Sequence, residues 1–222
     1  PNILGRFNVT IVATDNATNI NSTETTYFTA NDNLPPSISL ISPTPANNSI
    51  GGATTAVVNA SISDLIEIYG CVLNFDGTNY TMTKIGSGTS VSCNYTIGSL
   101  SNGAHNFTVY ANDSSGNMNQ SETRFFTTDT SMPVVDFVSP TETDGNYMSR
   151  RNIIVNVSVN SSNFANVTLK LFNSSRALIN SSFATTSTSY ANFSVYSDGT
   201  YYFNATAISI VNIAGTSDTR SV

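Results

Sequence analysis

A nine-residue run recurs 98 residues further along this chain, and that repeat fixes the size of the folding unit before any other feature is weighed. Phe7-Asn8-Val9-Thr10-Ile11-Val12-Ala13-Thr14-Asp15 matches His105-Asn106-Phe107-Thr108-Val109-Tyr110-Ala111-Asn112-Asp113. The same offset carries Tyr27-Phe28-Thr29 onto Phe125-Phe126-Thr127 and Pro35 onto Pro133. A third copy lies near the end, where Phe203-Asn204-Ala205-Thr206-Ala207 repeats the pattern and Ser217-Asp218-Thr219-Arg220 echoes Ser121-Glu122-Thr123-Arg124. Its register is open between offsets of 96 and 98. A slip of two residues keeps each side chain on its own face of a strand, so inward and outward assignments hold in either register.

A unit of about 100 residues is the size of one immunoglobulin-like sandwich. In the middle copy seven short strands are expected, at Ile38-Ile41, Ala56-Ser63, Tyr69-Phe75, Asn79-Thr83, Ser90-Ile97, Asn106-Ala111 and Thr123-Thr127, parted by Gly, Asn, Asp and Ser turns. Val58, Ala60 and Ile62 share one face; so do Tyr69, Cys71, Leu73 and Phe75, and Phe107, Val109 and Ala111. The last copy alternates likewise at Ile153, Val155, Val157 and Val159, at Val167, Leu169 and Leu171, and at Phe193 and Val195. The expected fold is all-β, a tandem of seven-strand Greek-key β-sandwiches of immunoglobulin-like type.

Three segments follow: residues 1–31 as the last two strands of a preceding domain, 35–129 as a complete domain, and 133–222 as a second with its last strand truncated. The joins, Asn31-Asp32-Asn33-Leu34-Pro35-Pro36 and Asp129-Thr130-Ser131-Met132-Pro133, are short and proline-constrained, so a stiff rod is expected. A lone hairpin is not stable in water. Phe7, Val9, Ile11 and Phe28 therefore call for covering strands, either from a longer array of which this chain is a window or from a neighbouring subunit that the hairpin completes. The last copy has a final strand of its own, though truncated, which favours the window.

Only 10% of residues are charged, while 29 Asn, 32 Ser and 30 Thr supply the polar surface. The 12 Phe and 10 Tyr within a hydrophobic fraction of 39% exclude a disordered chain. Eight Lys and Arg against 14 acidic residues leave no basic patch for nucleic acid. With so few ionisable groups, a flat dependence of stability on pH is expected. No run of about 18 apolar residues forms a membrane span, and no basic-plus-apolar leader is present.

The densest chemical signal is the N-x-Ser/Thr acceptor sequence for N-glycosylation. It occurs at Asn8, Asn16, Asn21, Asn47, Asn59, Asn79, Asn94, Asn106, Asn112, Asn119, Asn156, Asn160, Asn166, Asn173, Asn180, Asn192 and Asn204. These are 17 sites where a shuffle of the same composition gives about eight. Asn8, Asn106 and Asn204 fall at like places in successive copies and face outward, as do Asn59, Asn156 and Asn192. The bland reading is that outward strand positions are simply polar. Glycans there would shield the sheets from proteolysis and edge pairing.

The two cysteines, Cys71 and Cys93, lie on inward positions of the middle copy, and a disulfide between them is expected in an oxidising compartment. Thr168 and Ala191 stand near their places in the last copy, so the bridge is not required by the fold. No cofactor is called for. Asp15, Asp32, Asp113 and Asp129 recur at turns and joins, where carboxylates can take calcium, but an Asp in a turn more often bonds its own backbone. Catalytic and metal residues are expected to be absent: His105 is the single histidine, on an apolar face, and Lys84 and Lys170 lack the partner pattern of an isopeptide crosslink.

The run Tyr110-Ala111-Asn112-Asp113-Ser114-Ser115-Gly116-Asn117, followed by Phe125-Phe126-Thr127-Thr128-Asp129 and a proline, resembles the closing hairpin of immunoglobulin-like repeats in archaeal (prokaryotic) cell-surface proteins. The resemblance covers all three copies and departs at Ile208-Ser209-Ile210-Val211. It implies a glycoprotein of the cell surface: an S-layer component, an adhesin-like stalk or an extracellular filament. The expected function is that of a non-catalytic structural component of a filament or surface layer, partnered by copies of itself or neighbouring repeats. The alternative is an adhesin stalk or receptor that binds a carbohydrate or protein ligand on a host or cell surface. Exposed aromatics gathered on one loop face would favour the alternative, whereas Tyr80, Tyr147 and Tyr190 are scattered.

Overall fold

The period-two pattern is realised in a computed structural model of the chain, which describes residues 4–222. Among the described residues there are 20 strands and no helix. Two units divide them. One runs to Asn47 and includes Ala56–Gly98 and His105–Phe125; the other takes Asn48–Thr55, Ser99–Ala104 and Phe126–Val222. Residues 1–3 of the expected first segment lie outside the described residues.

In chain order the first strands are β1 (Gly5–Thr14), β2 (Ile20–Ala30), β3 (Ser37–Ile41), β4 (Ser49–Gly51), β5 (Ala56–Ser63) and β6 (Ile68–Phe75). Then come β7 (Thr78–Thr81), β8 (Thr83–Ile85), β9 (Ser90–Ile97), β10 (Gly103–Asp113), β11 (Met118–Gln120) and β12 (Arg124–Thr128). In the first unit β1 and β2 form an antiparallel hairpin in which Phe7 and Phe28 face each other and stack at 5.1 Å. Ile11 and Phe28 on that hairpin remain 63% and 55% exposed, so its apolar face is uncovered.

The rest of the first unit is a sandwich. One sheet has the order β3-β5-β9-β8; facing it are β10-β6-β7, with β11 also paired to β10. Val58, Ala60 and Ile62 from β5 and Val91 and Cys93 from β9 are buried, as are Cys71, Leu73, Phe107 and Val109 from the opposite sheet. Burying each such aliphatic side chain contributes about 1.5–3 kcal/mol, which is what the alternation secures.

Two expectations need correction. The single strand at Asn79-Thr83 is two strands, β7 paired to β6 and β8 paired to β9. The chain changes sheets at Met82, whose side chain is buried and whose N–H donates to the Cys71 carbonyl at 3.1 Å. Tyr69 is not inward but 72% exposed. A bulge between Asn112 and Asp113 pairs Asp113 with Ile68, and Ile68 takes the inward place instead.

The second unit continues with β13 (Val134–Phe137), β14 (Asn152–Asn160), β15 (Phe164–Phe172) and β16 (Leu178–Ala184). It ends with β17 (Thr188–Ser194), β18 (Tyr202–Ser209), β19 (Ala214–Thr216) and β20 (Arg220–Ser221). Sheet β13-β14-β17 packs on β16-β15-β18-β19, with β20 also on β18, around Ile153, Val155, Val157, Leu169, Leu171 and Phe203. The same unit holds the parallel pair of β4 and β12.

Side-chain bonds show how the copies align. Val109 N–H donates to Ser121 Oγ at 3.0 Å, and Ala205 N–H donates to Ser217 Oγ at the same distance. Each serine hydroxyl donates to the carbonyl of the next residue, Glu122 or Asp218, at 2.8 Å. The closing hairpins of the last two copies therefore align at 96, not 98. A second bond set, Asn59 N–H to Thr44 Oγ1 and Asn156 N–H to Thr141 Oγ1, both 2.7 Å, aligns the early strands at 97.

Replacing Ser217 by Ala leaves the Ala205 N–H without that buried acceptor. The expected loss is about 1–3 kcal/mol, read as a lower denaturant midpoint at an unchanged slope.

Candidate functional site

The candidate chemistry lies in three places: the disulfide, the Asn side chains of the outer faces, and the carboxylates at the turns. Cys71 and Cys93 are bonded, with Cα atoms 6.5 Å apart and 22 residues between them in sequence numbering. Because β6 and β9 belong to opposite sheets, the bond crosses the core. In the usual lettering it joins strands C and E, whereas antibody domains join B and F. The places of the cysteines in the last sandwich are held by Val167 and Ser189, not by the expected Thr168 and Ala191. Val167 pairs with Ala207 as Cys71 pairs with Ala111, and Ser189 pairs with Val157 as Cys93 pairs with Ala60.

No N-x-Ser/Thr asparagine is fully buried. Asn8, Asn16, Asn21, Asn47, Asn79, Asn119, Asn160, Asn180 and Asn192 are exposed; Asn59, Asn94, Asn106, Asn112, Asn156, Asn166, Asn173 and Asn204 are half-buried. What their amide nitrogens do divides them further. Asn59 Nδ2 donates to the Ser42 carbonyl at 3.5 Å, and Asn156 Nδ2 donates to the Ser139 carbonyl at 2.8 Å. Asn119 Nδ2 donates to the Pro36 carbonyl at 2.7 Å, and Asn204 Nδ2 to Thr219 Oγ1 at 3.1 Å. Asn173 holds a turn, its Oδ1 accepting the Ser175 and Ala177 N–H groups at 3.1 and 2.9 Å. Asn204 is two positions displaced from Asn106: it bonds Thr219 where Thr108 meets Thr123 at 2.8 Å, which keeps it outward but out of register with Asn8 and Asn106.

The closing turns are one device used repeatedly. Asp15 Oδ1 accepts the Asn19 N–H at 3.0 Å, and Asp113 Oδ1 accepts the Asn117 N–H at 2.9 Å. Ser209 Oγ accepts the Ile213 N–H at 3.1 Å. The third turn residue after the anchor has positive φ in each: Thr18 at 66°, Gly116 at 87° and Asn212 at 62°. The departure at Ile208-Ser209-Ile210-Val211 thus changes the side chains and keeps the turn. The Asn19 side chain and N–H hold the Asp15 carboxyl below its usual range.

His105 is buried, with Nδ1 2.7 Å from Asp76 Oδ2 and its ring stacked on Phe75. Its counterpart two residues before Phe203 is Tyr201, whose hydroxyl donates to the Ser197 carbonyl at 2.9 Å. That bond is the tyrosine corner of immunoglobulin-like sandwiches; in the middle copy His105 instead meets the Asp76 side chain in the turn between β6 and β7. Lys84 Nζ donates to the Ile68 carbonyl at 2.9 Å, and Lys170 Nζ to Thr206 Oγ1 at 3.2 Å.

Both oxygens of Asp129 accept hydrogen bonds. Oδ1 accepts the Ser131 N–H at 2.9 Å; Oδ2 accepts Ser162 Oγ at 2.8 Å and Asn163 Nδ2 at 2.5 Å. The Ser131 backbone bond first, then the Ser162, Ser131 and Asn163 side chains, hold its pKa far below the ordinary 3.8.

No protein-family model matches the chain, and neither does any curated protein. Solved structures do. A match to a run of domains from titin covers 99% of this chain and 74% of that one at 12% identity, with a TM-score of 0.55. The fibronectin(III)-like modules of CbhA from Clostridium thermocellum match over 83% of this chain and 92% of theirs, at 15% identity and a TM-score of 0.44. The FN1-FN3 domains of chicken CNTN1 match over 97% of this chain and 76% of theirs, at 11% identity and 0.38. The likeness to titin is one of fold: the chain forms immunoglobulin-like β-sandwiches. Among the described residues no helix is long and apolar enough to cross a membrane.

Two measurements follow from these bonds. Glycopeptide mapping of native material is expected to find glycans at the exposed Asn16, Asn160 and Asn180 and to find Asn59 and Asn156 bare; an unmodified intact mass would defeat the expectation. Asp129→Asn is expected to lower the melting temperature at neutral pH. A carboxylate with a depressed folded pKa stabilises fully above its ordinary 3.8, and loses that effect as pH falls through the lower folded value. Melting curves of the two proteins should therefore converge only in strong acid.

Proposed function

We propose that this chain is a non-catalytic structural component of an extracellular filament or cell-surface layer, built of N-glycosylated immunoglobulin-like repeats. The observation that carries this reading is the recurrence of the closing turn anchored at Asp15, Asp113 and Ser209, with acceptor asparagines on the outward side of the strands around it. On this reading residues 1–31 close one repeat, 35–129 form the next, and 133–222 the last. The disulfide fits an oxidising, extracellular setting.

Sugar on the outward faces accounts for a surface that stays hydrated with 10% charged residues. The partners are further copies of the chain or neighbouring repeats. The uncovered apolar face of β1 and β2, with Ile11 63% exposed, gives such a neighbour area to cover. Nucleic acid has no place in this scheme, because a chain with net charge -6 offers no basic surface.

Electron microscopy of native material tests the proposal. Fibres or a two-dimensional lattice labelled by antibody to this chain are the expected result. Isolated single projections, with binding to a glycan or host-surface array, would replace it with the adhesin reading.

A further inference from the structure

Three carboxylates converge in the first unit, only two of which stand out in the sequence. One oxygen from each of Asp32, Asp64 and Asp113 lies within 4.8 Å of the other two. Asp32 comes from the join after β2, Asp64 from the loop after β5, and Asp113 from the end of β10. Local bonds orient each one. The Leu34 N–H donates to Asp32 Oδ1 at 3.2 Å, and the Leu65 N–H to Asp64 Oδ1 at 2.5 Å. Asn117 donates through its side chain to Asp113 Oδ2 at 2.8 Å and to the Asp32 carbonyl at 3.3 Å.

These bonds occupy one oxygen of Asp32 and one of Asp64. The other oxygen of each, Oδ2, is buried with no hydrogen-bond partner. Asp32 is only 9% exposed and Asp113 only 1%. A carboxylate oxygen shut from water needs a proton donor or a cation, and three facing carboxylates supply no donor while all three are ionised.

We propose that Asp32, Asp64 and Asp113 form a calcium site that fastens the Asn31–Pro36 join to the sandwich that follows it. All three donors are oxygens, the choice of a hard cation. Calcium accepts irregular sets of oxygen ligands, whereas magnesium demands a near-ideal octahedron and keeps most of its waters. Oxygens within 4.8 Å of one another are close enough to share one such ion. Waters and backbone carbonyls complete the coordination.

The last sandwich supplies an internal control. Asp129 follows β12 as Asp32 follows β2, and its Oδ1 takes the Ser131 N–H as Asp32 takes that of Leu34. Its Oδ2, however, receives Ser162 Oγ and Asn163 Nδ2, and Ser209 stands where Asp113 stands. Neutral donors satisfy the linking carboxylate there. In the first unit Asp64 and Asp113 face the linking carboxylate in place of neutral donors, so the positive charge has to come from solution. The site stands whether or not the chain belongs to a filament.

The test is calcium titration of the chelator-stripped 222-residue chain at pH 7, by calorimetry and thermal unfolding, with magnesium as comparison. Calcium is expected to bind with one equivalent and a dissociation constant of about 10⁻⁴–10⁻³ M, as in extracellular modules. At about 100-fold excess over that constant it should raise the melting temperature by roughly 10 °C. Asp64→Asn and Asp64→Ser, which restore a neutral donor, should fold in chelator at least as well as the wild type and lose the calcium response. Asp129→Asn should keep it. Absence of heat and of any shift up to about 10 mM calcium, or binding that survives both Asp32→Asn and Asp64→Asn, would overturn the proposal.

Discussion

Closure of an apolar face between two sheets is the interaction on which everything else in this molecule depends. Period-two alternation delivers it in each sandwich, with residues such as Ile62, Leu73 and Phe107, or Val155, Leu169 and Phe203, withdrawn from water. Once those faces meet, the outward positions are free to carry almost any polar group. This chain fills them with amides and hydroxyls instead of charges. Such groups are also the ones that reach back to the backbone. Ser121, Ser217, Thr44 and Thr141 each bond a strand N–H, so one polar repertoire serves both surface and joinery.

That double use sorts the acceptor asparagines. An amide facing water, as at Asn16 or Asn180, has nothing to lose by modification. An amide spent on the Ser139 carbonyl, as at Asn156, is part of the fold. The same short motif thus marks two different physical roles, and only the local bonding tells them apart.

Much of this was legible in the sequence. The strand positions of β5, β9, β14 and β15, their inward faces and the pairing of Cys71 with Cys93 follow from alternation and spacing, because a buried face imposes its period directly on the residues. What alternation cannot reveal is which neighbour a strand pairs with. The passage from β7 to β8 at Met82 keeps an unbroken period while changing sheets, and the short parallel pair of β4 and β12 has no pattern of its own. The bulge at Asn112 and Asp113 reverses the phase of β6, which is why Tyr69 points out. Asp64 was invisible as a site residue for another reason: it lies outside the repeated runs, and its significance comes from where three separate loops end. The copies also differ by one or two residues between conserved bonds, so no single offset aligns them.

The bridge between Cys71 and Cys93 has a consequence for extension. A sandwich pulled apart from its ends pays out its chain strand by strand, but the stretch between those two cysteines is closed into a ring by a covalent bond. With 22 residues of separation at about 3.4 Å each, roughly 75 Å of contour is withheld from any stretching force. Val167 and Ser189 in the other sandwich impose no such limit. Under load, the two sandwiches would yield different lengths of chain.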